Sequence, residues 1–185
     1  MAHPPTLATF AQWLAGRYGA TPALRFKRDG VWQDISYEEL SRWVPETARK
    51  LRDQGVNPGD RVALMADTCP EWTICDLAIA AAGAVCVPVY PTNSASECAW
   101  VLGDSGARLA VCGSEEQRSR VGDVPTAMLA TLTAPEGGCA GGNHGTATEV
   151  DPGAVNTIIY TSGTTGPPKG CLITHANWWQ TLEAI

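Results

Sequence analysis

The chain has 185 residues, of which 44% are hydrophobic and 17% charged, so the polar, highly charged composition of a disordered chain is excluded. That length suffices for one ordinary domain or two small ones with a real core. The net charge is −6, and from residue 93 onward nine acidic side chains face four basic ones. Nucleic acid is therefore not expected as a partner, because phosphate neutralisation needs clustered cations.

In chain order, residues 6–18 carry Leu7, Phe10, Trp13 and Leu14 at helical spacing before Gly19, which predicts an amphipathic helix. Residues 23–27 and 31–35 flank Arg28-Asp29-Gly30 and predict a small hairpin. Ser36 and Glu39 form a capping box for a helix whose stripe, Leu40, Trp43, Val44, Thr47, Ala48 and Leu51, runs on to Gly55. Pro45 lies inside that stripe and should kink or split the helix, since it removes a backbone donor.

Asn57-Pro58-Gly59-Asp60 then turns the chain into a short strand, residues 61–66. Thr68 is the expected cap of a helix holding Trp72, Cys75, Leu77, Ile79 and Ala82 and ending at Gly83, followed by a β-branched strand at 85–90. Ser94 and Glu97 form a second capping box, opening a helix that runs through Leu102 and breaks at Asp104-Ser105-Gly106. Strands are expected at 108–112 and 125–130. Strands alternating with helices of this length predict an α/β fold, a mostly parallel sheet with helices on both faces.

Seven cysteines, Cys69, Cys75, Cys86, Cys98, Cys112, Cys139 and Cys171, contain no C-x-x-C pair, which argues against zinc and against a secreted disulfide framework. Most fall in apolar runs, where a free thiol behaves as a small buried hydrophobe. The N-terminus lacks the basic start and apolar stretch of a signal peptide. The longest apolar run, 74–90, is interrupted by Asp76, Gly83 and Pro88, short of the roughly 20 residues that a membrane helix needs. A reducing, cytoplasmic setting without a transmembrane segment is the expectation, with peripheral membrane association left open.

Residues 133–153 hold six glycines and almost no large apolar side chain, so they predict a flexible surface connector. The expected organisation is an N-terminal α/β subdomain over 1–132, the Gly-rich connector over 133–153, and a final segment over 154–185.

That final segment carries the chemistry. Residues 155–160 predict a strand that runs into Thr161-Ser162-Gly163-Thr164-Thr165-Gly166-Pro167-Pro168-Lys169-Gly170, and a second apolar stretch, 171–174, follows at once. The result is a hydroxyl- and glycine-rich turn between two buried strands. Glycines let backbone N–H groups approach an anion, the hydroxyls add donors, and Lys169, the only Lys or Arg after Arg120, adds a full charge. Taken alone, such a run also reads as a solvated hairpin. It is not a Walker A loop, because two prolines separate Gly166 from Lys169. Nor is it a nucleophile elbow, because Tyr160 stands where the first glycine of Gly-x-Ser-x-Gly would be.

The string YTSGTTGPPKG, Tyr160 to Gly170, resembles the phosphate-binding signature of the adenylate-forming superfamily of acyl-CoA synthetases, nonribosomal peptide adenylation domains and luciferases. Residues 83–112, 35–44 and Thr174-His175-Ala176-Asn177 are also similar to segments of that family, and the YPT step at Tyr90 to Thr92 looks most like a long-chain fatty acyl-CoA ligase. The fold implied is an incomplete N-terminal subdomain of an adenylate-forming enzyme. The activity implied has two steps: ATP and Mg²⁺ convert a fatty carboxylic acid to an acyl-adenylate, then coenzyme A takes the acyl group as a thioester. Carried over by residue, Thr161, Ser162, Gly163, Thr164, Thr165, Gly166 and Lys169 would surround the β- and γ-phosphates, with Thr161 a Mg²⁺ contact.

His175 matches a position near the active site of related enzymes, and equally reads as a helix N-terminal residue. Trp178, Leu182 and Ile185 repeat at helical spacing and read as core rather than acyl pocket. A Ser162, His175, Asp151 triad has no spacing argument behind it. The family's downstream Mg²⁺- and adenine-binding motif, ribose-binding Asp, hinge and C-terminal adenylation lysine do not occur in these residues. The resemblance therefore implies no catalytic residue here, inactivity of the fragment alone, and an uncovered apolar face around Trp178 and Leu182. Two alternatives remain open: an adenylation domain that loads an amino or aryl acid onto a carrier protein, and a short non-catalytic relic that binds nucleotide or a partner.

Overall fold

The computed structural model describes residues 6–134, 147–161 and 167–183. A 3-10 turn, Leu7–Thr9, leads into α1, Phe10–Tyr18, which stops at Gly19 with φ +53°, a conformation glycine adopts without strain. The strands β1, Pro22–Arg28, and β2, Val31–Ser36, pair antiparallel around Asp29 and Gly30, whose φ values of 50° and 81° suit a two-residue hairpin turn. Ser36 and Glu39 close a reciprocal capping box at the start of α2, Tyr37–Asp53. The split expected at Pro45 does not occur: α2 is one helix across it, with Leu40, Val44, Ala48 and Leu51 buried beside Pro45. Tertiary packing of that stripe outweighs the single lost donor.

The strand β3, Arg61–Met65, is followed by α3, Pro70–Ala81. Its N-cap is Cys69 rather than the expected Thr68, with no side-chain cap and Pro70 at the first turn, where a missing N–H costs nothing. The strand β4 covers Val85–Pro88, shorter than the expected 85–90, although the Val89 N–H still donates to the Leu64 carbonyl of β3 at 3.0 Å. Helix α4, Ala95–Ser105, opens on the expected Ser94–Glu97 box and runs past Leu102 to a left-handed Gly106. Arg61 holds that end: its Nε and Nη2 donate to the Ser105 and Gly106 carbonyls at 2.8 Å each, placing a cation on the end of the helix.

After β5, Leu109–Cys112, a short helix not expected from the sequence, α5, Glu115–Arg118, is capped by Ser114. The stretch expected as one strand at 125–130 divides into β6, Thr126–Met128, and α6, Leu129–Thr133. The chain continues with β7, Val155–Thr161, β8, Lys169–Thr174, and α7, His175–Glu183.

The six main-sheet strands among the described residues run in the order β6-β5-β3-β4-β7-β8, parallel except for the β7–β8 hairpin. Side chains alternate between two cores as the pleat requires. Val62, Leu64, Cys86, Leu109 and Val111 pack beneath α2, α3 and α6, while Ala63, Met65, Val85, Val87, Ala110 and Cys112 pack with Cys98, Val101 and Leu102 of α4. This is the expected α/β sheet covered on both faces.

Burial pushes the thiols of Cys75, Cys86, Cys98 and Cys112 upward, Cys112 to about 11, so they remain protonated core groups. Cys171 is exposed on β8, and Cys139 lies outside the described residues. No described helix is long and apolar enough to cross a membrane.

Candidate functional site

The parallel strands β3, β4, β5 and β7 all point their carboxyl ends to one edge of the sheet, the edge where α/β folds hold their ligands. At that edge β7 turns back into β8. Thr161 and Lys169 stand directly opposite each other as the last paired residues of this hairpin, and both are exposed. A hydroxyl and an ammonium thus share the mouth of the turn, an arrangement able to hold an anion. Ser162, Gly163, Thr164, Thr165 and Gly166 lie outside the described residues.

One pair inward, Tyr160 faces Gly170 across the strands. A Cβ on Gly170 would lie 2.8 Å from Cγ2 of Ile158 and 3.2 Å from Cζ of Tyr160, so the glycine makes room for the tyrosine ring. The buried phenol donates to Oδ2 of Asp104 on α4 at 2.6 Å. Burial, with Asp104 adding to it, pushes this phenol up to about 12, so it stays a proton donor across the physiological range. On the other arm, Nε1 of Trp100 donates to the Pro168 carbonyl at 3.1 Å. Neither contact was anticipated; the available signal is that Trp100 and Asp104 are four residues apart on one helix.

Beside the hairpin a cavity of about 280 Å³ is lined by Ala66, Trp72, Pro88, Val89, Ile159 and Tyr160 among others. A second, of about 540 Å³, opens at the ends of β3 and β5 between Phe26, Ile35, Trp43, Ile74 and Leu129. The charged groups on its wall are already engaged: Arg28 bonds Glu71, Asp34 accepts from Arg25, and Asp67 accepts from Gln117.

The expectation of two buried strands around the turn needs correction. β7 is largely buried, but among the described residues β8 is the sheet's edge strand, and its first four residues, including Leu172 at 61%, are exposed. His175, the first residue of α7, is buried, and its Nδ1 accepts from the Leu7 N–H at 3.2 Å. Burial holds its imidazole down to about 4, so it is a neutral tether for the N-terminal turn. Asp151 accepts from the Gly153 N–H and caps a turn. Trp178 is half-buried and donates to the Thr157 hydroxyl at 3.3 Å, while Leu182 is 39% exposed and Ile185 lies outside the described residues. Among the described residues no cluster of His, Cys, Asp and Glu is arranged to hold a metal ion.

The family description "AMP-binding enzyme" matches residues 11–185. The long-chain-fatty-acid–CoA ligase FadD15 of Mycobacterium tuberculosis is 36% identical over 166 residues, covering 80% of this chain and 28% of that protein. The phenyloxazoline synthase MbtB of a Mycobacterium species is 37% identical over 153 residues, covering 82% of this chain and 12% of that protein. Among solved structures, the N-terminal subdomain of Klebsiella oxytoca NpsA in complex with 3-hydroxyanthranilyl-AMSN superposes with a TM-score of 0.78 at 27% identity, covering 93% of this chain and 41% of that one. The chain thus spans less than half the length of each.

Proposed function

The chain belongs to the AMP-binding enzyme family, and we propose that it is the N-terminal part of an ATP-dependent acid–thiol ligase acting on a fatty carboxylic acid. In this reading a carboxylate oxygen attacks the α-phosphorus of ATP, the bond to the bridging oxygen breaks, and pyrophosphate leaves. The thiol of coenzyme A then displaces AMP from the acyl-adenylate. Residues 1–132 are the α/β subdomain, 133–153 the connector and 154–185 the opening of the nucleotide-binding segment.

The observation that carries the reading is the cross-strand pair Thr161 and Lys169, which brackets residues 162–168 at the carboxyl edge of the sheet. Lys169 offsets charge on the β- and γ-phosphates, and Ser162, Gly163, Thr164, Thr165 and Gly166 are assigned with it by residue type, as sources of hydroxyl and backbone donors. Mg²⁺, when bound, neutralises phosphate charge. The exposed Thr161 hydroxyl suits it, because Mg²⁺ needs few protein oxygens when substrate phosphates complete its shell. No described residue at the hairpin mouth is placed for proton transfer, so the contribution of this chain is to bind and orient. A cytoplasmic location belongs to the same reading, since the buried thiols act as plain core groups.

The fatty acid as substrate class draws on the relative named a long-chain-fatty-acid–CoA ligase. MbtB and NpsA match as well, which favours a second reading, an adenylation domain that delivers its acid to a carrier protein. The test uses the protein at the length found in its own cells, with ATP, Mg²⁺ and a panel of fatty, aryl and amino acids, scoring acyl-CoA by mass. Fatty acyl-CoA as product supports the first reading. Acyl-adenylate that forms from an amino or aryl acid and does not pass to coenzyme A replaces it with the second. The 185-residue chain alone is expected to give no carboxylate-dependent ATP–pyrophosphate exchange.

A further inference from the structure

Helix α4 touches the two arms of the hairpin on either side of the Thr161–Lys169 pair, Tyr160 lying one residue inward of it and Pro168 one residue outward. Asp104 takes the Tyr160 hydroxyl one residue before Thr161, and Trp100 bonds the Pro168 carbonyl one residue before Lys169. The two side chains are separated by one helical turn, so they leave α4 on the same side. A carboxylate in the last turn of a helix opposes the helix dipole, and α4 has no basic residue of its own there, so helix stability gives no reason for Asp104. Trp100 is 42% exposed, so burial is a poor reason for an indole at that position, whereas its N–H has a definite partner. The platform itself is fixed, because Arg61 ties the end of α4 to the start of β3.

We propose that Trp100 and Asp104 are positioning residues that set the spacing and orientation of Thr161 and Lys169 for a bound nucleoside triphosphate. The inference rests on the reading that this hairpin binds polyphosphate. The bonds reach the residues next to the pair, Tyr160 in β7 and Pro168 just before β8, rather than the ligand, so their loss weakens binding by letting the two arms part.

The test titrates MgATP by calorimetry into the protein at the length found in its own cells and measures thermal unfolding of each variant. Trp100→Phe and Asp104→Ala are each expected to raise the Kd for MgATP about 5-fold, the worth of one hydrogen bond. Melting temperatures should stay within about 2 °C of the parent. Asp104→Asn, which keeps an acceptor oxygen, should restore affinity, and Asp104→Ala should cost nothing further in a Tyr160→Phe background. Unchanged affinity in both variants, with Lys169→Ala still weakening binding, overturns the proposal and leaves the polyphosphate reading standing. Affinity and melting temperature falling together, without rescue by Asp104→Asn, also overturns it, because the contacts are then structural. No MgATP binding by the parent protein removes the reading and the proposal together.

Discussion

Tyr160 and Gly170 stand opposite each other in the β7–β8 pair, and the place of a Gly170 side chain lies 3.2 Å from the tyrosine's Cζ. The ring leans across the glycine, and its hydroxyl reaches Asp104 on the helix beneath. Gly170→Ala forces a Cβ to within 2.8 Å of Ile158 Cγ2 in the buried face of β7. We expect a loss of about 1–3 kcal/mol in urea unfolding, the usual cost of overpacking, with an unchanged m-value. Ile158→Ala should recover part of that loss when combined with Gly170→Ala, because the two changes share one space.

Acid should loosen the N-terminal turn through His175. The imidazole takes a proton near 6.5 when unfolded but only at about 4 when folded, because burial disfavours the cation. Between those values the unfolded chain binds more protons, so stability falls as the pH drops through that window. The loss should be on the order of 3 kcal/mol by pH 4. Protonation at Nδ1 also removes the acceptor of the Leu7 N–H. Comparing unfolding of the parent and His175→Gln from pH 7 to pH 4 isolates this part of the acid slope. The variant should show the shallower dependence.

The two candidate caps, Thr68 before α3 and Ser94 before α4, should behave differently. Ser94 accepts the Glu97 N–H and the Glu97 carboxylate returns to the Ser94 N–H at 2.7 Å, so Ser94→Ala should cost about 1 kcal/mol of stability. Thr68 is exposed and caps nothing, so Thr68→Ala should fall within about 0.5 kcal/mol of the parent. Chemical denaturation of the two variants side by side checks the contrast.

Much of the fold was legible because its signals are local. Ser36 with Glu39, Ser94 with Glu97, and Asp29-Gly30 announce two helix starts and a turn from within four residues. What escaped depends on distant partners. Pro45 is tolerated because of the seam between α2 and α3, and the end of α4 is held by Arg61, 44 residues before Ser105, which donates to the Ser105 and Gly106 carbonyls. The pattern of β8 resembles a buried strand, yet its place at the sheet edge among the described residues leaves Leu172 exposed. At the site, the motif was readable as a string of residue types. The bonds from Asp104 and Trp100 to the hairpin span 56 and 68 residues, beyond any local rule.

The central claim, that the turn between Thr161 and Lys169 binds the phosphates of ATP, is tested most directly by calorimetric titration of MgATP into the protein at the length found in its own cells and into its Lys169→Ala variant. Binding by the parent, weakened at least about 10-fold in the variant with an unchanged melting temperature, is the predicted result, since a charge-assisted contact to phosphate is lost. Equal affinity in the two proteins, or no binding by the parent, would contradict it.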